Sequence, residues 1–283
     1  MADLDQDTRV KRRSTADGVT TYNAAASADW AIWGPMGGYI ASIALRAAGA
    51  HCGRTRPASI NANFLAVAAY DDLTATVTTL RTTRVATCVR VELSQGDRAI
   101  LEATVWGTDT VDGMSHHTAR SRPDVPGPEG LDTFLELLRR TGEPSPYEFW
   151  HRLDCRPTLW IEDWENREPR EPEAVSWYRF LDHAPTEDRW LDDCRLLITT
   201  DLDAWGPACN PHTGELEWFA PTIELSCRFL QPAPEWLLSW GSAPVAHEGL
   251  IGVQSEIWSG DDRLLAIGGS TLMSRPAPNR PGG

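Results

Sequence analysis

The tetrapeptide Asp97-Arg98-Ala99-Ile100 recurs later in the chain as Asp262-Arg263-Leu264-Leu265. Upstream of these two copies, Asn63-Phe64-Leu65 aligns in the same way with Arg228-Phe229-Leu230, and the residue numbers differ by 165 in both places (263 against 98, 229 against 64). A constant offset without a gap is the signature of an internal repeat. We therefore predict two similar halves, and we expect any functional site to lie where they meet.

Each half is predicted to consist of a helix followed by antiparallel strands. Small and apolar residues fall at helical spacing over 39–48, and a second helix with one apolar face is predicted from about Asp188. Segments that alternate apolar with polar residues, or that are rich in Thr and Val, indicate strands. These strand candidates are 58–65, 73–81, 83–94 and 98–107 in the first half, and 175–181, 222–230, 236–240, 251–258 and 263–273 in the second.

One helix packed on a long antiparallel sheet, made twice, is an α+β fold. We predict a first repeat over residues 1–108, a linker rich in Pro and Gly over 109–146, a second repeat over 147–275 and a disordered tail over 276–283. The linker contains one amphipathic piece, 131–141. Residues 1 to about 18 are predicted to be loosely attached.

Composition excludes several classes of function. The 283 residues carry a net charge of −14, which argues against a nucleic-acid partner, because phosphate binding relies on clustered Lys and Arg. No stretch approaches the roughly 18 consecutive apolar residues of a membrane span, so we predict no membrane partner. The first 20 residues lack the apolar segment of a signal peptide. The six cysteines never form a C-x-x-C pair, and we expect a reduced, cytoplasmic protein.

Common catalytic and cofactor motifs are absent from the sequence. There is no G-x-S-x-G nucleophile elbow, no Walker A motif and no dinucleotide fingerprint. His116-His117 has no metal-ligand spacing around it. We therefore predict neither a metal nor a cofactor. An Asp followed by a His at the helix entry is also missing, which disfavours a dehydratase.

The order of elements, together with W-x-x-W-G-P-x-G-G-Y-x-A-x-x-A-L-R-A-A over Trp30–Ala48, resembles the double hotdog acyl-CoA thioesterases of the type II family. The likeness covers most of the chain. It is carried by the Gly37-Gly38-Tyr39 helix start, by Leu80-Arg81-x-x-Arg84, by the segment 221–230 and by the segment 262–266. The resemblance implies a double hotdog, in which each of two tandem antiparallel sheets wraps around its own central helix.

The resemblance also implies a catalytic set drawn from the second half: a carboxylate, a Gln and a hydroxyl residue that activate and hold a water. Glu224 falls where the resemblance places the carboxylate, and Ser270 falls where it places the Gln. The position of the hydroxyl falls in the loop 244–248, where His247 is the candidate base. Each of these residues also has a plain structural interpretation, as a strand or loop side chain in solvent.

We expect the residues that bind substrate to come from the first half. Gly37 and Gly38, with Tyr39, open the first helix, where glycine permits close backbone approach by a ligand and free N–H groups face a developing oxyanion. Arg81 and Arg84 are candidates for the phosphates of coenzyme A. Helix–sheet packing and exposed strand arginines are the alternatives that the sequence leaves open.

The predicted activity is therefore hydrolysis of an acyl thioester, carried by coenzyme A or by a carrier protein, to a free acid and a thiol. Two alternatives stay open. One is a non-hydrolytic acyl-thioester-binding protein, or a tailoring enzyme of a specialised biosynthetic pathway. The other is a structural role in oligomers, because hotdog sheets commonly extend across subunits. A homo-oligomer is compatible with any of these.

Overall fold

A computed structural model describes residues 3–116, 120–142, 145, 147–164, 166–214 and 218–276. His117 lies outside these ranges, and so does the tail predicted to be disordered, except for its first residue, Pro276. Pro276 pairs with Trp218 in a short two-stranded ribbon, so that residue is ordered.

The first half contains a long helix between two strands that precede it and four strands that follow. In chain order the elements are α1 (Leu4–Asp7), β1 (Lys11–Ala16), β2 (Val19–Ala25), α2 (Gly37–Cys52), β3 (Arg56–Phe64), β4 (Asp72–Thr82), β5 (Ala86–Gln95) and β6 (Arg98–Thr108).

The linker then forms the helix α3 (Phe134–Thr141), which confirms the amphipathic piece predicted there. It begins with a capping box, in which the Thr133 side chain accepts from the Glu136 backbone N–H and the Glu136 side chain accepts from that of Thr133.

The second half repeats the arrangement of the first, with an insertion after its long helix. Its elements are β7 (Leu153–Pro157), β8 (Glu173–Phe180), α4 (Arg189–Leu202), α5 (Trp205–Cys209), β9 (Trp218–Phe219), β10 (Thr222–Phe229), β11 (Leu237–His247), β12 (Leu250–Trp258), β13 (Leu264–Met273) and β14 (Arg275–Pro276). The short helix α5 lies between α4 and β9.

Twelve strands form one continuous antiparallel sheet, in the order β1-β2-β4-β5-β6-β3-β10-β13-β12-β11-β8-β7. The two halves join at its centre, where β3 pairs with β10 and Asn63 lies opposite Glu224. Read outward from this seam, corresponding strands of the two halves follow in the same order. The arrangement confirms the predicted α+β double hotdog, with two tandem repeats that each wrap a sheet around one helix.

The start of the chain corrects the prediction of a loosely attached segment. β1 pairs with β2, and β2 pairs with β4 along its whole length, so the N-terminal hairpin extends the sheet. In β2 the side chains of Thr20, Tyr22 and Ala24 are buried, which is the alternation expected of a strand with one face on the core. β1 is exposed throughout and has no such pattern, so periodicity gave no sign of it.

The helices α2 and α4 pack against each other in opposite directions inside the wrapped sheet. A Cβ added at Gly38 would lie 2.8 Å from the Ile198 Cα, and one added at Gly49 would lie 2.5 Å from the Trp190 ring. Only glycine permits this approach at both ends of α2. The contact places the start of α2 against the end of α4. Among the described residues, no helix has the length and apolar composition needed to cross a membrane.

Candidate active site

The carboxylate of Asp201, in the last turn of α4, lies between the two halves. Its Oδ2 accepts the backbone N–H of Gly38 at 2.8 Å, and its Oδ1 accepts the hydroxyl of Thr222, on β10, at 3.1 Å. The side chain keeps some contact with solvent. Burial of the carboxylate raises its pKa to about 6, although both hydrogen bonds act to lower it.

The start of α2 provides the backbone donors at this place. The residue before the helix, Met36, makes no side-chain hydrogen bond to cap it. The first N–H groups of a helix lack intrahelical partners and carry the positive end of its dipole. A Cβ on Gly37 would lie 2.8 Å from Asp201 Oδ2 and 3.2 Å from Phe64, so a side chain there would fill the space beside the carboxylate. Both glycines predicted to bind substrate therefore lie at this site.

Tyr39, which the sequence grouped with these glycines, points the other way into the core. It is fully buried and stacks on Trp30 with ring centroids 5.2 Å apart. Its hydroxyl donates to the Asp7 carbonyl at 2.9 Å and accepts the Ser27 N–H at 2.9 Å. These contacts tie the N-terminal segment to α2, and they give Tyr39 a packing role at the helix start.

Glu224 lies on the outer face of the sheet, whereas Asp201 and Thr222 lie on the inner face. The register of β10 against β13 shifts between Thr222 and Glu224, and this bulge places Thr222 on the same face as Leu225. Glu224 accepts from Asn61 Nδ2 at 2.7 Å and from Thr271 Oγ1 at 3.3 Å. The sheet therefore separates Glu224 from the start of α2.

Ser270 points to the inner face, opposite Leu225 and Val253 of the neighbouring strands. It is 3% exposed, and its hydroxyl has no hydrogen-bond partner among the described residues. The structure consequently places Ser270 and Glu224 on opposite faces and does not bring them together around one water.

His247 is exposed at the end of β11, with Nε2 3.8 Å from Glu248 Oε1. It borders a depression of ≈ 690 Å³ on the outer face, together with Glu224 and the 268–271 stretch of β13. The depression is on the far side of the sheet from Asp201.

Arg81 and Arg84 lie beside the opposite end of α2. Arg54, which follows that helix, donates to the carbonyl oxygens of Thr83 at 2.6 Å and of Arg84 at 3.2 Å. A helix of 16 residues is about 24 Å long, so these strand arginines are far from Gly38. The structure does not bring them to the Asp201 site.

A small apolar cluster borders the site on the inner face of the second half. We call it the alanine-rich cluster; Trp205 packs over it half-buried, and its buried members are Ala204, Ala208, Ala220, Ala243, Ile251, Val253 and Leu272. Leu272 lies opposite Thr222 across the strand pair, so the cluster begins next to the Asp201 carboxylate. Every member of the cluster is apolar.

Neither Asp201 nor Thr222 was predicted from the sequence as a site residue. One signal was available, because a carboxylate in the last turn of a helix faces the negative end of the dipole and α4 has no basic residue there to offset it. Such a local conflict indicates a functional position. The described residues contain no group of three or more His, Cys, Asp or Glu side chains that could hold a metal.

Comparisons with known proteins cover both halves. A family model described as the acyl-CoA thioesterase N-terminal domain matches residues 26–108, and one described as the acyl-CoA thioesterase C-terminal domain matches residues 119–271. No curated protein matches the sequence.

Solved structures of similar fold extend over nearly the whole chain. A conserved protein of unknown function with a hotdog fold from Alicyclobacillus acidocaldarius is 21% identical, with a TM-score of 0.77, and the match covers 97% of this chain and 98% of that one. An acyl-CoA thioesterase II, TesB2, from Mycobacterium marinum is 18% identical, with a TM-score of 0.76 and coverage of 98% and 100%.

A structure described as having a different activity is also similar, but more distantly. The dehydratase domain of PpsC from Mycobacterium tuberculosis is 14% identical, with a TM-score of 0.55, and the match covers 95% of this chain and 99% of that domain. At these identities the likeness to solved structures shows a shared fold.

Proposed function

Because the chain belongs to the acyl-CoA thioesterase family, we propose that it hydrolyses an acyl-CoA thioester to a free acid and coenzyme A, with Asp201 as the carboxylate that activates water. The observation that carries this proposal is the position of Asp201, which lies between the Thr222 hydroxyl and the N-terminus of α2. The resemblance called for a carboxylate and a hydroxyl from the second half, and these two residues meet that requirement.

The proposed chemistry is direct attack by water. A water held by Asp201 and Thr222 attacks the thioester carbon, and its proton passes to Asp201. The N–H groups in the first turn of α2 stabilise the negative charge that develops on the carbonyl oxygen. When the C–S bond breaks, the proton on Asp201 passes to the departing sulfur. With a pKa raised to about 6, Asp201 is a better base than an ordinary aspartate and is still ionised at neutral pH.

Thiol release measures this activity across short, medium, long and aromatic acyl-CoAs. Asp201→Asn removes the base and keeps the shape of the side chain, so kcat should fall roughly 100- to 10,000-fold. Glu224→Gln is the matched control, because Glu224 occupies the other face of the sheet, and its kcat should stay within about twofold of wild type. Loss of activity in Glu224→Gln with full activity in Asp201→Asn would contradict this assignment and favour Glu224 as the base.

One observation favours a second function, acyl-thioester binding without cleavage. Ser270 stands where the resemblance places a Gln, and its hydroxyl contacts neither Asp201 nor Thr222, so this site lacks one of the expected water ligands. Saturable binding of acyl-CoA by calorimetry, with no thiol released by the wild-type protein, would support this second function.

A further inference from the structure

An exposed aromatic pair lies beside the start of α2. The Trp33 side chain is 52% exposed, and its ring meets that of Phe219 edge to face, with the ring centroids 6.1 Å apart. The guanidinium of Arg275 lies over the Phe219 ring, 4.5 Å from its centroid. We call these three side chains the aromatic rim. Exposed aromatic groups that cluster with an arginine are typical of binding surfaces.

The aromatic rim joins the two halves close to the proposed catalytic site. Trp33 is four residues before Gly37, where α2 begins, and Phe219 is three residues before Thr222. The backbone of each ring residue therefore lies within roughly 14 Å of Gly37 or Thr222, since the chain spans at most about 3.6 Å per residue. Gly37 and Thr222 both keep some contact with solvent, so the rim borders the open side of the site.

Arg275 gives the aromatic rim a positive charge. It lies opposite Phe219 in the β9–β14 ribbon, its side chain is exposed, and it forms no ion pair with an Asp or Glu among the described residues. The whole chain carries a net charge of −14, so this unpaired cation favours an anionic ligand at one place on an acidic surface. An arginine that stacks on a ring can still donate two hydrogen bonds to a phosphate.

We propose that the aromatic rim binds the phosphopantetheine arm of the thioester, with the dimethyl group of the arm against Trp33 and Phe219 and its phosphate at Arg275. The inference rests on the proposed function and specifies how the substrate is held. In an extended arm the dimethyl carbon is about 12 Å from the thioester sulfur and the phosphorus is about 16 Å away, at roughly 1.25 Å per bond. The arm presents an apolar group and then an anion, and the rim presents two rings and then a cation.

The test uses butanoyl thioesters of four thiols: coenzyme A, phosphopantetheine, pantetheine, which has no phosphate, and N-acetylcysteamine, which also lacks the dimethyl group. Arg275→Ala should raise KM roughly tenfold for the first two and leave it unchanged for the others, because only the first two carry phosphate. Trp33→Ala should raise KM about fivefold for all but the N-acetylcysteamine thioester. In both variants kcat should stay within about twofold of wild type, since the contact is the same in the ground state and the transition state.

Arg90→Ala and Leu80→Ala are the matched controls. Arg90 and Leu80 lie on strands of the first half with side chains 44% and 51% exposed, and neither replacement should change any KM. Arg275→Lys and Trp33→Phe should restore most of the loss. If Arg275→Ala raises KM equally for the pantetheine thioester, or Trp33→Ala does so for the N-acetylcysteamine thioester, the proposal is overturned. An unchanged KM for butanoyl-CoA in both variants also overturns it.

An acyl carrier protein separates the two sources of the arm, because it bears the same phosphopantetheine without the nucleotide. A lower KM for the butanoyl carrier protein than for butanoyl-CoA, raised by Arg275→Ala, upholds the aromatic rim and assigns the arm to a carrier protein. A lower KM for butanoyl-CoA, raised by the same change, upholds the rim and assigns the arm to coenzyme A.

Affinity separates this inference from the proposed function. In an Asp201→Asn background, calorimetry should show about tenfold weaker binding of butanoyl-CoA when Arg275→Ala is added, with the Kd of the pantetheine thioester unchanged. A wild-type protein that releases no thiol but shows this difference would refute the hydrolase and uphold the aromatic rim. Equal Kd values for butanoyl-CoA with and without Arg275→Ala, or no binding of it, would refute the rim.

Discussion

Single residues decide the chemistry of this site, and Asp201 is the clearest case. Its position at the end of α4 is electrostatically unfavourable, and burial raises its pKa to about 6. The same two features that weaken it as a structural residue suit the role of base that we propose for it near neutral pH.

The pH dependence of the reaction tests this role. Because the base acts only when ionised, kcat/KM should be constant above pH 7 and should fall tenfold per pH unit below an apparent pKa of about 6. Initial rates of thiol release between pH 4.5 and 8, in buffers of constant ionic strength, give the profile. A limb near pH 4, where an unperturbed carboxylate titrates, would instead contradict Asp201 as the base.

The contrast between Glu224 and Asp201 also shows what the sequence left undetermined. The resemblance required a carboxylate in the second half, and the motif around β10 offered Glu224. The bulge after Thr222 turns Thr222 to the inner face and leaves Glu224 on the outer face, and strand alternation alone does not reveal a bulge. Gly37 and Gly38 were recognised because a glycine pair at a helix start is a local signal.

At the scale of elements, α5 closes the alanine-rich cluster. Its first residue, Trp205, is the half-buried member that packs over the buried ones. An acyl chain bound against this cluster would contact the indole. We therefore expect Trp205 to limit the length of chain that the site accepts.

Replacing this side chain should shift the chain-length preference. Trp205→Ala should raise kcat/KM for octanoyl-CoA relative to butanoyl-CoA by roughly tenfold, because added methylenes then gain apolar contacts at the opened end. Trp106→Ala is the control, since Trp106 is half-buried on β6 in the other half. An unchanged ratio in Trp205→Ala, with the fold intact by circular dichroism, would show that chains leave the site by another route.

Elements with strong periodicity were predicted well, and those without it were not. The small and apolar residues of α2 reflect a helix that is buried on nearly all sides, and the alternation in β3 and β10 reflects one buried face. β1 presents no buried face, and β7 contains only five residues, so neither produces a pattern long enough to recognise. Both are held in place by pairing with a neighbour, which a local pattern does not record.

For the whole molecule, buried carboxyl groups on α4 and just beyond it set the response of stability to pH. Burial raises the pKa of Asp193 to about 7 and those of Asp201 and Asp203 to about 6. Asp203 accepts the Tyr178 hydroxyl at 2.9 Å, and Asp193 pairs with Arg189 at 2.9 Å. In the unfolded chain all three lose their protons near pH 4.

The sign of the effect follows from proton linkage. Between about pH 4 and 7 the folded state binds more protons than the unfolded state, so the free energy of unfolding decreases as the pH rises through this range. Tm should therefore be higher at pH 6 than at pH 8, and Asp193→Asn should reduce the difference. Differential scanning fluorimetry of the wild-type protein and of Asp193→Asn measures Tm at both pH values. A Tm that rises from pH 6 to pH 8 would show that other groups dominate.

The two halves are related by the repeat, yet the two ends of the helix pair differ. At the end of the helix pair opposite Asp201, the Trp190 indole packs against Gly49 and Gly107, and its N–H donates to the Arg54 carbonyl at 2.7 Å. The large side chain fills the space that corresponds to the site, so among the described residues the repeat presents this carboxylate arrangement at one end only.

The central pairing of β3 with β10 has a consequence for how the polypeptide tolerates being cut. That pairing is made by main-chain hydrogen bonds, and residues of both halves share one hydrophobic core. If the chain were cleaved within residues 109–133, we therefore expect the two fragments to stay associated without a covalent link. Either fragment expressed alone would expose an unpaired edge strand and one side of the helix–helix contact, and we expect it to aggregate. When the two fragments are co-expressed in one cell, we expect them to associate into a complex with the activity of the intact chain.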